Sequence, residues 1–207
     1  MYSVIRSFGL NGLNGFAVAV EADVSGGMPA LSIVGLPDSA VRESGDRVHA
    51  AARNLGFKWP DRRITVNLAP ADVRKTGPGY DLPLLLAVLS SAGQIEPPPE
   101  ETAFLGELAL DGSLRPVSGV LPMALTAAAS GVQALYVPAE NAAEAAEACA
   151  DSMAVYPAHT AREVVDALRG ISPLAPAAVV PFDPAEAWAQ VPDFADVMGQ
   201  SLARRAM

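Results

Sequence analysis

Hydrophobic positions in this chain fall into short β-rich runs and longer helical ones, separated by glycine, proline and asparagine-glycine pairs. Tyr2 to Leu10 and Phe16 to Val24 are β-rich runs joined by Asn11-Gly12 and Asn14-Gly15, dipeptides that tolerate positive φ, so a hairpin is expected. Ala30 to Val34 supplies a third strand after Gly26-Gly27, which predicts an antiparallel opening before any helix. Asp38 or Ser39 then caps a helix whose Val41, Val48, Ala52 and Leu55 recur on one face, closed by Gly56. Glu43 and Arg47 stand four apart on its charged face, a pairing that supports a helix by about a few tenths of a kcal/mol.

The stretch from Ile64 to Leu89 organises the rest. Ile64, Thr65, Val66 and Leu68 read as a buried strand ending at Pro70. Leu84 to Leu89 begins an apolar helix running toward Gly93, with Asp81 expected as N-cap and Pro83 in the first turn. Between them lies Arg74-Lys75-Thr76-Gly77-Pro78-Gly79-Tyr80. Its glycines permit close backbone approach at a helix N-terminus, where unpaired amides favour anions. Such a loop can cradle an anion; the alternative is a strand-to-helix turn with a solvated basic pair. It is not a phosphate loop, because the GxxxxGK[ST] spacing is absent from the whole chain.

Further on, Pro97-Pro98-Pro99 is a stiff connector, and Ala103 to Leu110 with Ser113 to Val117 predict a second hairpin around Asp111-Gly112. A helix from Pro122 to Gly131, a strand over Ala134 to Val137 and a helix over Glu140 to Cys149 follow. Met153 to Tyr156 predicts a last strand, and Thr160 with Glu163 forms a capping box opening a helix that ends at Gly170. Residues 171–192 carry five prolines among alanines, a linker composition expected to be extended and mobile. Residues 193–207, DFADVMGQSLARRAM, read as the start of a further folded unit.

Composition narrows the function classes. A chain of 207 residues that is 51% hydrophobic can bury a sizeable core. No window approaches 18 uninterrupted apolar residues, and the N-terminus lacks the pattern of a signal peptide, so a cytoplasmic protein without a membrane segment is expected. Cys149 is the single cysteine and His49 and His159 the two histidines, which makes a metal centre improbable. The net charge of −9 argues against nucleic-acid binding on average, but residues 1–80 hold nine Lys and Arg against seven Asp and Glu, and residues 81–207 hold five against sixteen. The basic groups Arg62, Arg63, Arg74 and Lys75 flank the central strand, and they are the candidate nucleic-acid contacts, beside the loop of Gly77, Pro78 and Gly79.

Three strings, IVGLPDSAVRESGDRVHAA, VNLAPADVRKTGPGYDLPLLLAVL and GELALDGSLRPVSGVLPMALTAA, resemble in the same order the N-terminal domain of Mg-chelatase-like AAA+ ATPases of the YifB/ComM type. The resemblance covers about residues 1–168 and implies an α+β (mixed α/β) fold like the Lon protease proteolytic domain and domain two of ribosomal protein S-five. It implies residues 1–170 as that domain, 171–192 as linker and 193–207 as entry to the ATPase module, where Val197, Gly199 and Gln200 would lie near the adenine. The full-length protein would then use ATP and Mg, assemble as a hexamer on its own AAA+ module, and, as ComM proteins do, act in DNA branch migration during natural transformation.

Lon proteases use a serine nucleophile in a Gly-Pro-Ser-Ala-Gly turn and a lysine base near the start of a later helix. By the same comparison those positions here are Gly79 and Leu121, and the chain's two lysines, Lys58 and Lys75, lie elsewhere. The resemblance therefore implies no catalytic residue and no cofactor for this stretch. A Lon-type peptidase and a magnesium-chelatase subunit of tetrapyrrole synthesis are the alternatives.

Overall fold

The computed structural model describes residues 2–149, 152–179 and a few positions beyond: 191, 196, 198–200, 202 and 205. The chain opens with β1 (Tyr2–Asn11) and β2 (Asn14–Ser25), antiparallel in a register that pairs Asn11 with Asn14. Gly12 turns the hairpin at φ +63°, which an L side chain adopts reluctantly. Then come β3 (Ala30–Val34), α1 (Ser39–Asn54) and β4 (Arg63–Ala69). Here the expected antiparallel opening is corrected: β3 pairs with β4, in parallel, at the edge of the sheet. The reason is α1, a helical crossover that returns the chain in the same direction.

Following β4 are α2 (Asp81–Ser91), β5 (Thr102–Phe104), β6 (Glu107–Leu108), β7 (Leu114–Arg115) and α3 (Val120–Ala129). The chain continues through β8 (Ala134–Pro138), α4 (Ala142–Cys149), β9 (Ala154–Ala158) and α5 (Ala161–Leu168). The expected hairpin over 103–117 divides in two. Residues 102–104 join the central sheet beside β1 and β8, and only β6 and β7 form a small separate ribbon.

The central sheet has seven strands in the order β3-β4-β2-β1-β5-β8-β9. Only the two pairings of β2 are antiparallel. This is a mixed α/β, Lon-like architecture, with an antiparallel hairpin set into a mainly parallel sheet. Each of the eleven residues of α2 is buried, matching its continuous apolar sequence. It packs with α1 and α5 against Ile5, Val20, Ile64 and Val66. A second core forms where Phe8, Ala103, Leu135 and Val155 meet α3 and α4.

Residues 171–179 contain no helix or strand, yet Leu174 packs against the first core and the Ala177 amide donates to the Val155 carbonyl at 2.7 Å. The first part of the proline-rich segment is therefore docked along β9. The rest of it, through residue 192, lies almost wholly outside the described residues. Among the described residues no helix is long and apolar enough to cross a membrane.

Candidate functional site

The loop before α2 is built from both its ends. Asp38 caps α1 by accepting from the Val41 amide at 2.8 Å, and its second oxygen accepts from the Gly77 amide at 3.1 Å. The strand-like contact of Pro37 with Lys75 holds the two segments side by side. At the other end, the Asp81 amide donates to Pro78 and the Leu82 amide to Gly106. These amides, which the sequence suggested could hold an anion, are thus occupied by the protein's own oxygens. The Asp38 carboxylate already stands where an anion would enter.

Asp81 does not take the expected place as cap of α2; Tyr80 occupies that position without a side-chain cap. The Asp81 carboxylate is instead fully buried and paired with Arg47 of α1, whose Nε and Nη2 donate at 2.7 and 3.0 Å. The Leu108 amide donates to it at 3.1 Å. Burial pushes the Asp81 carboxyl up, and the Arg47 guanidinium, Ser44 and Leu108 pull it back. Arg47 approaches Glu43 only at 3.9 Å, so its main partner is 34 residues away and not four. One ion pair thereby ties α1, α2 and β6 together.

Lys75 is corrected as a candidate nucleic-acid contact. It is fully buried and its ammonium donates to the Pro70 carbonyl, with desolvation lowering its pKa. A group with no exposed surface cannot reach a phosphate. Arg62, Arg63 and Arg74 are exposed. Arg62 lies in a groove with Arg42, on the α1 side of the sheet edge, while Arg63 opens β4. Arg74 lies at the far end of that strand, beyond Pro70.

Gly77, Pro78 and Gly79 line a cleft of about 510 Å³ with Glu107, Ser118 and Tyr80. The Tyr80 hydroxyl is buried and its pKa is raised by desolvation and then by Asp38. Glu107 faces Arg115 at 3.6 Å. Among the described residues no lysine or histidine lines this cleft. Gly79 has Val117 3.6 Å from where a Cβ would stand, so the turn has ordinary room for a side chain. Leu121 is 45% exposed in the first turn of α3, and Leu125, one turn on, is 49% exposed. Among the described residues no cluster of His, Cys, Asp and Glu could hold a metal. Of the positions expected near adenine, Gly199 and Gln200 are exposed and lie in no helix or strand, and Val197 lies outside the described residues.

Two residues that sequence reasoning passed over support this region. Arg47 looked like half of a surface pair. Asn141 anchors the strand-to-helix passage into α3, its amide accepting from the Val117 amide at 2.8 Å and donating to the Val117 carbonyl at 3.0 Å. A polar residue among alanines was the available signal.

Comparison with known proteins places these features. A Haemophilus influenzae protein, competence protein ComM, is 36% identical over 208 residues, covering 99% of this chain and 40% of that protein. An uncharacterized Mycobacterium tuberculosis protein is 44% identical over 203 residues, or 97% of this chain and 39% of the relative. The uncharacterized protein YifB of Escherichia coli is 42% identical over 130 residues, 62% of this chain and 26% of that protein. This chain therefore spans about two fifths of the relatives it matches along its whole length. A more distant similarity, 24% over 169 residues, to Lon protease of Mycolicibacterium smegmatis agrees with the Lon-like fold. The family described as subunit ChlI of Mg-chelatase matches residues 20–141, more than half of the sequence, and the chain belongs to that Mg-chelatase-like family.

Proposed function

We propose that this chain is a non-catalytic N-terminal domain, residues 1–170, of a Mg-chelatase-like AAA+ ATPase, and that it positions the ATPase module and neighbouring subunits. What supports this reading is the pair Gly79 and Leu121, which by the resemblance to Lon proteases fall at the positions of the nucleophile and base and carry neither group. A serine in the cleft, Ser118, has no amine or imidazole in the lining to take its proton. The exposed Leu121 and Leu125 suit packing better than chemistry. ATP and Mg belong to the module that follows residue 192, as does assembly into a hexamer. A role in remodelling DNA during transformation accords with the name of the competence protein relative. In this reading the protein works in the cytoplasm, and neither peptidase nor tetrapyrrole chemistry is its task.

The test compares the full-length protein with a version lacking residues 1–170. The expected result is ATP hydrolysis in both and loss of subunit assembly and DNA remodelling in the shortened one. Unchanged assembly and remodelling would refute a positioning role. Labelling of Ser118 by a fluorophosphonate probe, with peptide cleavage lost in Ser118→Ala, would restore the peptidase reading.

A second reading, direct phosphate contact, is favoured by the exposure of Arg62, Arg63 and Arg74, without Lys75. Removing one phosphate-binding side chain lowers the slope of log affinity against log salt by about 0.9 on duplex DNA. Arg62→Ala with Arg74→Ala in the full-length protein should therefore flatten the salt dependence, and an unchanged slope removes these residues from the DNA path.

A further inference from the structure

The two edges of the seven-stranded sheet are treated differently. An unpaired strand edge presents free amides and carbonyls to any other strand, and proteins usually blunt it with charge, proline or a covering segment. The β9 edge has both of the last two: Pro157 stands inside the strand, and residues 171–179 run beside it with Ala177 donating to Val155. Among the described residues the β3 edge has neither. Its sequence, Ala30-Leu31-Ser32-Ile33-Val34, contains no charge and no proline, and among the described residues no backbone bond reaches it except from β4.

The surroundings of β3 fit a particular partner. Leu31 and Ile33 point toward α1 and form the half-buried floor of the groove, with Leu31 close against Gly45. Ala30, Ser32 and Val34 are exposed on the other face, Val34 at 44%. The groove's rim carries Arg42 and Arg62 together with Asp46 and Asp61. Two cations and two anions make a rim with no net preference for an acidic or basic ligand, but one that complements itself across a two-fold axis. A nucleic acid or an acidic peptide would meet two carboxylates there, so Arg62 here serves the pairing of copies, and phosphate contact would rest on Arg63 and Arg74.

We infer that the β3 edge is an interface for a second copy of this chain, paired antiparallel about Ser32. Ser32 then faces its symmetry mate, Leu31 faces the partner's Ile33 and Ala30 faces the partner's Val34. The sheet continues across the axis as fourteen strands, and the arginines of each rim meet the aspartates of the other. This inference rests on the reading of the domain as an organiser of subunits, and it names one contact. Because it is isologous, it differs from the head-to-tail contacts that close a ring, and would join two rings or two free chains.

The test is sedimentation of the 207-residue chain from micromolar to millimolar concentration. The wild-type chain should move from one copy toward two. Ser32→Lys and Ser32→Glu each place like charges opposite one another and should weaken association by up to about fivefold. An equimolar mixture of the two variants should recover association, which two misfolded variants could not do. A wild-type chain that stays monomeric at millimolar concentration overturns the inference. So do variants that pair like wild type, or a mixture that fails to recover. These outcomes are read on the isolated chain, whereas the positioning role is judged by ring assembly and DNA remodelling of the full-length protein, so failure here and failure of the positioning role remain distinct.

Discussion

Replacing Arg47 with Met should destabilise the domain far more than its place on a charged helix face suggests. The substitution keeps an apolar stem as far as the position of Nε and removes both bonds to Asp81, at 2.7 and 3.0 Å. A fully buried carboxylate is left with the Leu108 amide and the nearby Ser44 hydroxyl. Stranding one partner of a buried pair costs about 3–5 kcal/mol, and since the Arg47 side chain is 21% exposed, water can partly replace it, which argues for the lower end. A loss of about 3 kcal/mol is a large share of the roughly 5–15 kcal/mol that holds a domain folded.

The pH dependence identifies the cause. Burial raises the Asp81 pKa and Arg47, Ser44 and Leu108 oppose it, so removing Arg47 leaves the upward push opposed only by Ser44 and the Leu108 amide. A carboxyl held higher in the folded than in the unfolded state binds its proton more tightly when folded. The penalty is therefore absent below the ordinary carboxyl pKa and grows as pH rises toward the folded value. Urea unfolding of wild type and Arg47→Met should show a deficit that is largest at neutral pH and shrinks toward about pH 4. Asp81→Asn should cost less, about 1–2 kcal/mol, because Arg47 keeps the Ala40 carbonyl and Ser44 and remains partly hydrated. A deficit below about 1 kcal/mol for Arg47→Met, or one that widens on acidification, would refute the buried-pair account.

Three further outcomes follow from individual side chains. Asn141→Ala strands the backbone amide and carbonyl of Val117 and should lower stability by about 2 kcal/mol, read as a fall in Tm. Gly119→Ala places a Cβ against Leu10 Cδ1 at φ +78°, so a loss of at least about 1 kcal/mol is expected in urea unfolding; a neutral result would mean the turn relaxes freely. Cys149 is buried and desolvation pushes its thiol up, so iodoacetamide at neutral pH should modify it only after denaturation, as mass spectrometry would show.

Much of the fold was legible because it rests on local chemistry. Asp38 caps α1, Thr160 accepts from the Glu163 amide at the start of α5, and Gly56, Gly93, Gly131 and Gly170 all take positive φ beyond helix ends, as expected from residues a few places apart. The continuous apolar run over 84–89 required burial on all sides, and α2 is buried throughout.

Tertiary structure decided whatever depended on distant neighbours. Asp81 had the residue type and position of a helix cap, but a guanidinium 34 residues earlier in the chain offered two charge-assisted bonds and drew its carboxylate inward. Lys75 looked like half of a basic pair on a loop, and only the folded path shows Arg74 exposed and Lys75 buried against Pro70. The strand character of residues 30–34 was evident from side-chain type, whereas their place was not. Whether β3 joins β2 or β4, and in which direction, is set by how α1 packs over the sheet. Sequence patterns acting over a few residues determine which segments become strands and helices, and their partners are chosen only when the whole core closes.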